Sequence, residues 1–341
     1  MASVFFIPSY MKNTLLLTVA VVLIQASCTE KSNLDNSAEF ERNKEAREDS
    51  IELAAAYQAQ TKVNSLVYPS VQTTPVSALA MDDAADDPAF WFNQDFPDSS
   101  LIFGSNKKGG IYSYHLDGSI YEYYPIGLIN NIDIRQGVSF GEKSLDIISG
   151  SNRTDNSIVI YTIDNQGKLQ QLLKNFVVTD YGIDEVYGYC MGKVDGLPLF
   201  LANGKNGSIR AFTYDESQHS LILWKSWSVD TQPEGMVIDD EHQVLYVGEE
   251  QNGIWRIDLK TPEAEPTLII SSTAAENENI RYDIEGLAIY DNGEGKGFLV
   301  ASSQGNFTYA VFDRLSNEYL GSFKIMGLND IDGVEETDGI D

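Results

Sequence analysis

A motif that recurs about every 50 residues is the main constraint on how this chain of 341 residues can fold. Each copy has a carboxylate followed closely by a short apolar run, and the six carboxylates are Asp87, Asp133, Asp184, Glu234, Glu285 and Asp332. Successive carboxylates are 46, 51, 50, 51 and 47 residues apart. Such even spacing predicts that one small structural unit is repeated along the chain.

Each of the first five units also contains two strand-like runs that flank a turn rich in Gly, Asn or Ser. Two of these segments are LFLANGKNGSIRAFTY and VLYVGEEQNGIWRIDL, in which aromatic and β-branched residues alternate. Patterns of this kind are typical of β-hairpins. About four short strands per unit and a period near 50 residues predict an all-β, six-bladed β-propeller. The even spacing disfavours the alternative, an irregular array of β-sandwich units.

The topology of such a blade predicts where its polar side chains meet. In an antiparallel meander, the start of the first strand and the end of the second strand lie at the same edge. We therefore expect the repeated carboxylates to share one face of the propeller with the hairpin tips. The tips of the first three units carry cations, namely Lys107, Lys108, Arg153 and Lys205. The later tips carry Glu249, Glu250 and Gln304.

Charge limits the partners that this face can bind. The net charge is −28, from 23 Lys and Arg against 51 Asp and Glu, which argues against nucleic acid as a partner. Converging carboxylates repel one another unless cations intervene. Three His and two Cys are too few and too scattered for a zinc site, and crowded oxygen ligands favour Ca²⁺ over Mg²⁺. The face therefore predicts calcium on one side and phosphate binding on the other.

Each of these residues also has a structural interpretation when it is taken singly. A Lys at the tip of a turn is usually solvated, and an Asp before a strand often caps a turn. The functional interpretation depends on the joint pattern of carboxylates and cations, not on any one position.

The amino terminus has the pattern of an export signal. The apolar run of residues 14–26 is short for a membrane span and ends in Ala26-Ser27-Cys28. We expect residues 1–27 to be a lipoprotein-type signal peptide, with lipid at Cys28 as the one membrane contact of an exported cell-envelope protein. The alternative is an ordinary secretory signal. Residues 28–65 are expected to form a tether that includes a helix, and Cys190 then has no disulfide partner within the chain.

Signatures of covalent phosphoryl or acyl transfer are absent from the sequence. It contains no Arg-His-Gly motif, no Walker loop and no G-x-S-x-G elbow. Gly196 stands where a phosphatase that used Cys190 as its nucleophile would need an Arg.

Ten segments of the sequence resemble motifs of a known family. They are DDAADDPAFWF, SNKKGGIYSY, INNIDIR, SNRTDNSIVIY, IDEVYGY, PEGMVIDD, EEQNGIW, DIEGLAIY, SSQGN and ETDGID. This set is similar, in order and spacing, to the β-propeller phytases, which are calcium-dependent hydrolases of inositol hexakisphosphate (phytate). The resemblance covers residues 66–341 and implies a phytase domain there, with a six-bladed fold. It also implies a 3-phytase-type phosphomonoesterase in which a calcium-bound water attacks phosphorus.

The resemblance assigns roles to individual residues. The metal ligands that it implies, for several Ca²⁺ ions, are Asp86, Asp87, Glu234, Glu249, Asp283, Glu285, Gln304, Asp332 and Asp338. The catalytic residues that it implies are Glu250, Tyr187, Asp283, Glu285 and Asp338. The phosphate-binding residues that it implies are Lys107, Lys108, Arg153 and Lys205. These cations would hold a second phosphate of phytate and so position the first.

The family continues beyond the ETDGID motif into strands that complete the sixth blade, whereas this sequence stops at Asp341. We therefore expect a C-terminally truncated chain in which the last blade is incomplete and the stability is lower. Nothing in the sequence suggests more than a monomer.

Two other functions are compatible with a propeller. One is a non-catalytic lipoprotein that binds phosphorylated or polyanionic ligands through calcium, and the presence of Glu250, Tyr187 and Asp338 favours catalysis over this alternative. The other is a sugar-lactone hydrolase, which needs a single central metal and no group of cations at the hairpin tips, so the cations disfavour it.

Overall fold

The computed structural model describes residues 50–76, 84–261, 263, 265–271, 277–336 and 338–341. The expected signal peptide, Cys28 and most of the expected tether lie outside these residues. The chain divides into two compact units, residues 1–55 and 56–341. Residues 50–60 are helical, and short 3₁₀ helices occur at Pro97–Ser99, Thr179–Tyr181 and Gln304–Asn306. Over the described ranges, no helix combines the length and the apolar character needed to cross a membrane.

Residues 56–341 fold into antiparallel meanders of strands that follow one another in sequence, as expected for propeller blades. Blade 1 contains β2 (Ala85–Trp91), β3 (Leu101–Asn106), β4 (Gly110–Tyr114) and β5 (Ile120–Tyr124). Blade 2 contains β6 (Ile129–Phe140), β7 (Lys143–Asn152), β8 (Ser157–Ile163), β9 (Leu169–Gln171) and β10 (Phe176–Val177). Blade 3 contains β11 (Val186–Val194), β12 (Leu197–Gly204), β13 (Ser208–Asp215) and β14 (Ser220–Ser228). Blade 4 contains β15 (Pro233–Asp239), β16 (Val244–Glu249), β17 (Gly253–Asp258) and β18 (Thr267–Ser271). Blade 5 contains β19 (Ile284–Gly293), β20 (Lys296–Ser303), β21 (Thr308–Asp313) and β22 (Tyr319–Ile325).

The segment that precedes blade 1 covers the outer edge of blade 5. Here β1 (Ser65–Val67) pairs in parallel with Phe323–Ile325 of β22, so this part of the edge does not offer unpaired backbone groups to another chain. Just upstream, the ring of Tyr57 packs edge-on against Phe307 at 5.3 Å, and Gln60 Nε2 donates a hydrogen bond to the Phe307 carbonyl at 3.1 Å. The segment therefore contacts the hairpin tip of blade 5.

Apolar side chains fill the spaces between neighbouring blades. Phe103, Phe200, Phe212 and Phe312 are fully buried, and each comes from a middle strand of its blade. Burial of one such ring stabilises the fold by about 1.5–3 kcal/mol. The cores between successive blades bring the inner strands β2, β6, β11, β15 and β19 side by side around one axis.

Two of the repeated carboxylates join neighbouring blades through hydrogen bonds. Asp87 Oδ2 accepts a hydrogen bond from the backbone N–H of Ile132 in the next blade at 3.0 Å. Asp133 Oδ2 accepts one from Met191 in the blade after that at 2.7 Å. Part of the repeat therefore reflects how the blades are held together.

The prediction of six blades is wrong, since the described residues form five sheets. Asp332 is exposed, and the strand pairing described for residues 326–336 is an isolated bridge between Leu328 and Ile331. Residues 338–341 instead run between the inner strands of blades 5 and 1. The Gly286 N–H donates to the Asp338 carbonyl at 3.0 Å, and the Gly339 N–H donates to the Asp86 carbonyl at 3.1 Å.

Candidate active site

Every blade carries a β-bulge near the start of its inner strand. The pairing of the first two strands shifts there, as between Pro233 and Met236 in β15 and between Ile284 and Leu287 in β19. One polar side chain occupies the equivalent bulged place in each blade, and these residues are Asp86, Asn130, Tyr187, Glu234 and Glu285. Because bulges redirect side chains, the fold brings five equivalent polar groups together at one end of the axis.

This equivalence corrects the positions that the sequence repeat predicted for blades 2 and 3. Asp133 and Asp184 were expected to share a face with Glu234 and Glu285, but the bulged residues of blades 2 and 3 are Asn130 and Tyr187. Asp184 is exposed, and its Oδ1 accepts the Glu185 N–H at 2.8 Å. The spacing alone did not reveal the shift of a few residues.

A glycine follows the bulged residue in blades 3, 4 and 5. A Cβ atom at Gly235 would lie 1.7 Å from the carbonyl oxygen of Glu285, and one at Gly286 would lie 2.6 Å from that of Asp338. Side chains at these positions would therefore push the inner strands apart. The Glu-Gly pairs place each carboxylate where adjacent backbones make their closest approach.

Glu234, Glu250 and Glu285 form a buried acidic group. One carboxylate oxygen from each residue lies within 4.8 Å of the other two. Burial raises the pKa of Glu285 well above its ordinary value, and the charge of Glu234 raises it further. Burial also raises the pKa of Glu250 to about 7. Three carboxylates this close repel strongly when all are ionised, so the group favours protons or a cation.

Buried oxygens without hydrogen bonds point to the cation. Glu285 Oε2 and the Asp86 carboxylate oxygens are buried and accept no hydrogen bond. Asp86 forms an ion pair with Lys107, whose Nζ lies 3.4 Å from Oδ2. Burial raises the pKa of Asp86 well above its ordinary value. Because an unsatisfied buried carboxylate is costly, these oxygens fit the ligand set of a hard cation.

The C-terminal segment contributes Asp338 to the same end of the axis. Its Oδ2 pairs with Lys107 Nζ at 2.9 Å, and its Oδ1 accepts a hydrogen bond from Gln304 Nε2 at 2.7 Å. Gln304 comes from the tip of blade 5, where its N–H also donates to the Asp283 carbonyl at 2.9 Å. Asp338 therefore connects the tips of blades 1 and 5.

Cations from blades 2 and 3 flank the ring of Tyr187. Arg153 Cζ lies 5.8 Å and Lys205 Nζ 4.8 Å from the ring centroid. Burial, followed by the charges of Glu234 and Glu285, raises the pKa of Tyr187. The phenol therefore keeps its proton and is available as a hydrogen-bond donor beside the two cations.

Asn130 is a site residue that sequence reasoning missed. It is fully buried, and its Nδ2 donates to Glu234 Oε1 at 2.8 Å. Its Oδ1 accepts from Arg153 Nη1 at 3.4 Å, so one amide bridges the acidic group and the cations. The signal was present in the motif INNIDIR, but its asparagines carry no charge and were given no role.

Some of the expected site residues lie apart from this group. Glu249 is fully buried and turned away from Glu250: its Oε1 accepts the Thr231 hydroxyl at 2.7 Å, and its Oε2 accepts Trp255 Nε1 at 2.7 Å. Both oxygens of Glu249 are therefore engaged by donors of the protein itself. The Lys108 side chain is exposed, as is Asp332.

Comparison with known proteins identifies the family of this chain. A family model described as Phytase matches residues 45–341. The chain belongs to the phytase family. It is 35% identical over 279 residues to a 3-phytase of Bacillus subtilis (strain 168), an alignment that covers 79% of this chain and 72% of that protein. Membership confirms the prediction of a phytase-type hydrolase on a β-propeller.

Solved structures support the fold alone. A functionally unknown protein from Desulfotomaculum acetoxidans DSM 771 superposes on this phytase with a TM-score of 0.51, at 15% identity. The match covers 76% of this chain and 75% of that one. At this identity the likeness extends to the propeller architecture and carries no information on the reaction.

Proposed function

We propose that this phytase releases phosphate from inositol hexakisphosphate in a calcium-dependent reaction. The observation that carries the proposal is one end of the propeller axis where buried carboxylate oxygens without hydrogen bonds face a group of Lys and Arg side chains. Such a surface is suited to a ligand with several phosphate groups, one near a metal and another held by cations.

The residues present fit calcium. Glu234, Glu250, Glu285 and Asp86 offer buried carboxylate oxygens, and Asp338 with Asp283 adds charge from the rim. Oxygen-only ligand sets of this kind select Ca²⁺ or Mg²⁺, and a crowded set favours Ca²⁺. Bound calcium would supply positive charge to the phosphate oxygens and offset the repulsion among the carboxylates.

The chain's own side chains divide the remaining work. Arg153, Lys205 and Lys107 bind phosphate oxygens, with exposed Lys108 at the entrance. Tyr187 donates a hydrogen bond from its phenolic hydroxyl to the reacting phosphate and keeps its proton. Glu250 or Asp338 orients the attacking water and accepts its proton as the new P–O bond forms. The P–O bond to the inositol ring breaks, and the released inositol oxygen takes a proton from solvent. Asp283 and Glu285 complete the proposed catalytic group.

The decisive test is phosphate release from phytate by the purified chain, first with calcium and then with excess chelator. We expect release only with calcium. Glu285→Gln should reduce turnover by about 100-fold or more because it removes one of three converging carboxylates. Asp95→Asn, at an exposed carboxylate in the loop between β2 and β3, should leave turnover unchanged. If a folded chain binds calcium and phytate but releases no phosphate, the proposal of an enzyme fails. The alternative, a propeller that binds polyanions without hydrolysing them, is then supported.

We also propose that the protein acts as an exported monomer, anchored through lipid at Cys28. The apolar run of residues 14–26 and the small residues before Cys28 support export. Metabolic labelling with a fatty acid tests the anchor. Cys28→Ser should abolish the label, whereas Cys190→Ser, at a buried thiol in blade 3, should retain it.

A further inference from the structure

Glu185, for which sequence reasoning gave no role, lies between the two cations of blades 2 and 3. Its Oε1 is 3.2 Å from Arg153 Nη2 and 3.0 Å from Lys205 Nζ, so a single oxygen receives both cations. The three side chains are between 31% and 47% exposed, and solvent reaches all of them. This carboxylate oxygen therefore occupies the position that one oxygen of an anion bound by both Arg153 and Lys205 would take.

The backbone fixes Glu185 at this point. The Lys205 N–H donates to the Glu185 carbonyl at 3.2 Å, which ties the tip of blade 3 to the residue just before β11. The Glu185 N–H is held by Asp184. The hydrogen bond from Lys205, together with the charges of Lys205 and Arg153, lowers the pKa of the Glu185 carboxyl, so it is ionised at neutral pH.

Tyr187 contacts the same two cations, because Arg153 and Lys205 both lie over its ring. Each cation is thereby held between an aromatic face and a carboxylate oxygen. An incoming phosphate group can replace the carboxylate while the ring contact remains. A phosphate has three terminal oxygens and up to two negative charges, so it can satisfy both cations at once, whereas Glu185 does so through one oxygen.

We propose that Glu185 is a positioning residue that occupies the phosphate position between Arg153 and Lys205 in the free protein and yields it to the substrate. The proposal rests on the proposed function only in taking these two cations as phosphate ligands. Glu185 keeps the cations in place before binding, disfavours anions too weakly charged to displace it, and assists release of phosphate product. Glu185 thereby lowers the affinity for phosphate, raises the selectivity for highly charged anions and speeds the release of phosphate product.

The test compares Glu185→Gln with the parent chain in calorimetric titration with inorganic phosphate, at a calcium concentration that keeps calcium phosphate in solution. Exposed ion pairs contribute little each, so we expect phosphate to bind about two- to tenfold more tightly to the variant. Glu185→Asp, which keeps the charge, should restore the parent affinity. Asp180→Asn, at an exposed carboxylate in the neighbouring 3₁₀ helix, is the matched control and should change nothing.

Two further readouts separate positioning from a structural role. In phytate hydrolysis, Glu185→Gln should lower KM without raising kcat, whereas loss of structure would lower kcat and raise KM. In a Lys205→Met background, Glu185→Gln should gain less phosphate affinity than in the parent, since one of its two partners is gone.

Unchanged or weaker phosphate binding by Glu185→Gln would overturn the proposal, as would absence of phosphate binding to both parent and variant. The titration needs no turnover, so the proposal about Glu185 stands or falls on binding even if phytate is not hydrolysed. Absence of hydrolysis with tighter phosphate binding by the variant would reject only the enzyme proposal.

Discussion

Replacing Glu250 by Gln should stabilise the metal-free protein although it removes a proposed catalytic group. Burial raises the pKa of Glu250 from its ordinary value of 4.5 to about 7. Each pKa unit corresponds to about 1.4 kcal/mol, so an ionised Glu250 lowers the free energy of unfolding by about 3 kcal/mol at pH 8. Gln has almost the same shape and carries no charge, and its amide oxygen can still accept the hydrogen bond from Gln232.

The sign of the pH dependence follows from the direction of the shift. The folded state holds the Glu250 proton more tightly than the unfolded state, so stability falls as pH rises from about 4.5 to about 7. We therefore expect the gain from Glu250→Gln to be about 3 kcal/mol at pH 8 and about 1 kcal/mol or less at pH 5. At pH 8 this corresponds to a rise in melting temperature of about 6–12 °C.

Thermal and urea unfolding in chelator at the two pH values measure the effect. The matched control is Glu249→Gln at the adjacent residue, which should destabilise the protein by about 1–3 kcal/mol because an amide cannot accept from both Thr231 and Trp255. With calcium, the parent should gain more stability than Glu250→Gln, since the variant has lost a ligand. If Glu250→Gln is no more stable than the parent in chelator at pH 8, while the control loses stability, the inference of charge repulsion in the acidic group is refuted.

Three other substitutions test separate parts of the structure. Arg314→Met should destabilise the fold by about 3–5 kcal/mol in urea unfolding. The reason is that Arg314 contacts the buried Asp239 carboxylate twice at 2.7 Å, and the variant leaves that charge without this partner. Retention of the parent stability would contradict this expectation. Asn130→Ala should weaken calcium binding about tenfold in calorimetric titration, because it removes the amide that donates to Glu234, and an unchanged affinity would exclude Asn130 from the site. Lys205→Ala should raise KM for phytate more than it lowers kcat, whereas Glu285→Ala should chiefly abolish turnover; equal mild losses from both would argue against the proposed division of labour.

The sequence predicted the class of fold and the composition of the site from local patterns. Hairpins such as LFLANGKNGSIRAFTY were recognisable because alternating apolar residues around a Gly- and Asn-rich turn favour paired strands wherever they occur. The cations at the tips could be placed near the acidic residues because meander topology puts both at one edge of a blade. Asn130 and Glu185 escaped notice because their roles depend on contacts with other blades, at 2.8 Å to Glu234 and at 3.2 Å to Arg153.

The number of blades could not be obtained by counting carboxylates. Asp332 has the spacing of a blade start, yet it is exposed and lies in none of the five sheets that the described residues form. The carboxylates also serve different purposes in different blades, since Asp87 and Asp133 bind backbone N–H groups of the next blade.

The sequence by itself determined that short strands would form in a repeating order, and that carboxylates and cations would gather at one end, because hairpin signals and charge are local properties. Only the tertiary structure decided which member of each neighbouring pair faces the site. Glu250, in the turn after β16, and Asp86, in a bulge, enter the acidic end, whereas their neighbours Glu249 and Asp87 bind protein groups. A β-bulge changes which of two adjacent side chains faces the site. The position of the bulge depends on packing against the next blade, and a local sequence pattern contains no information on that packing.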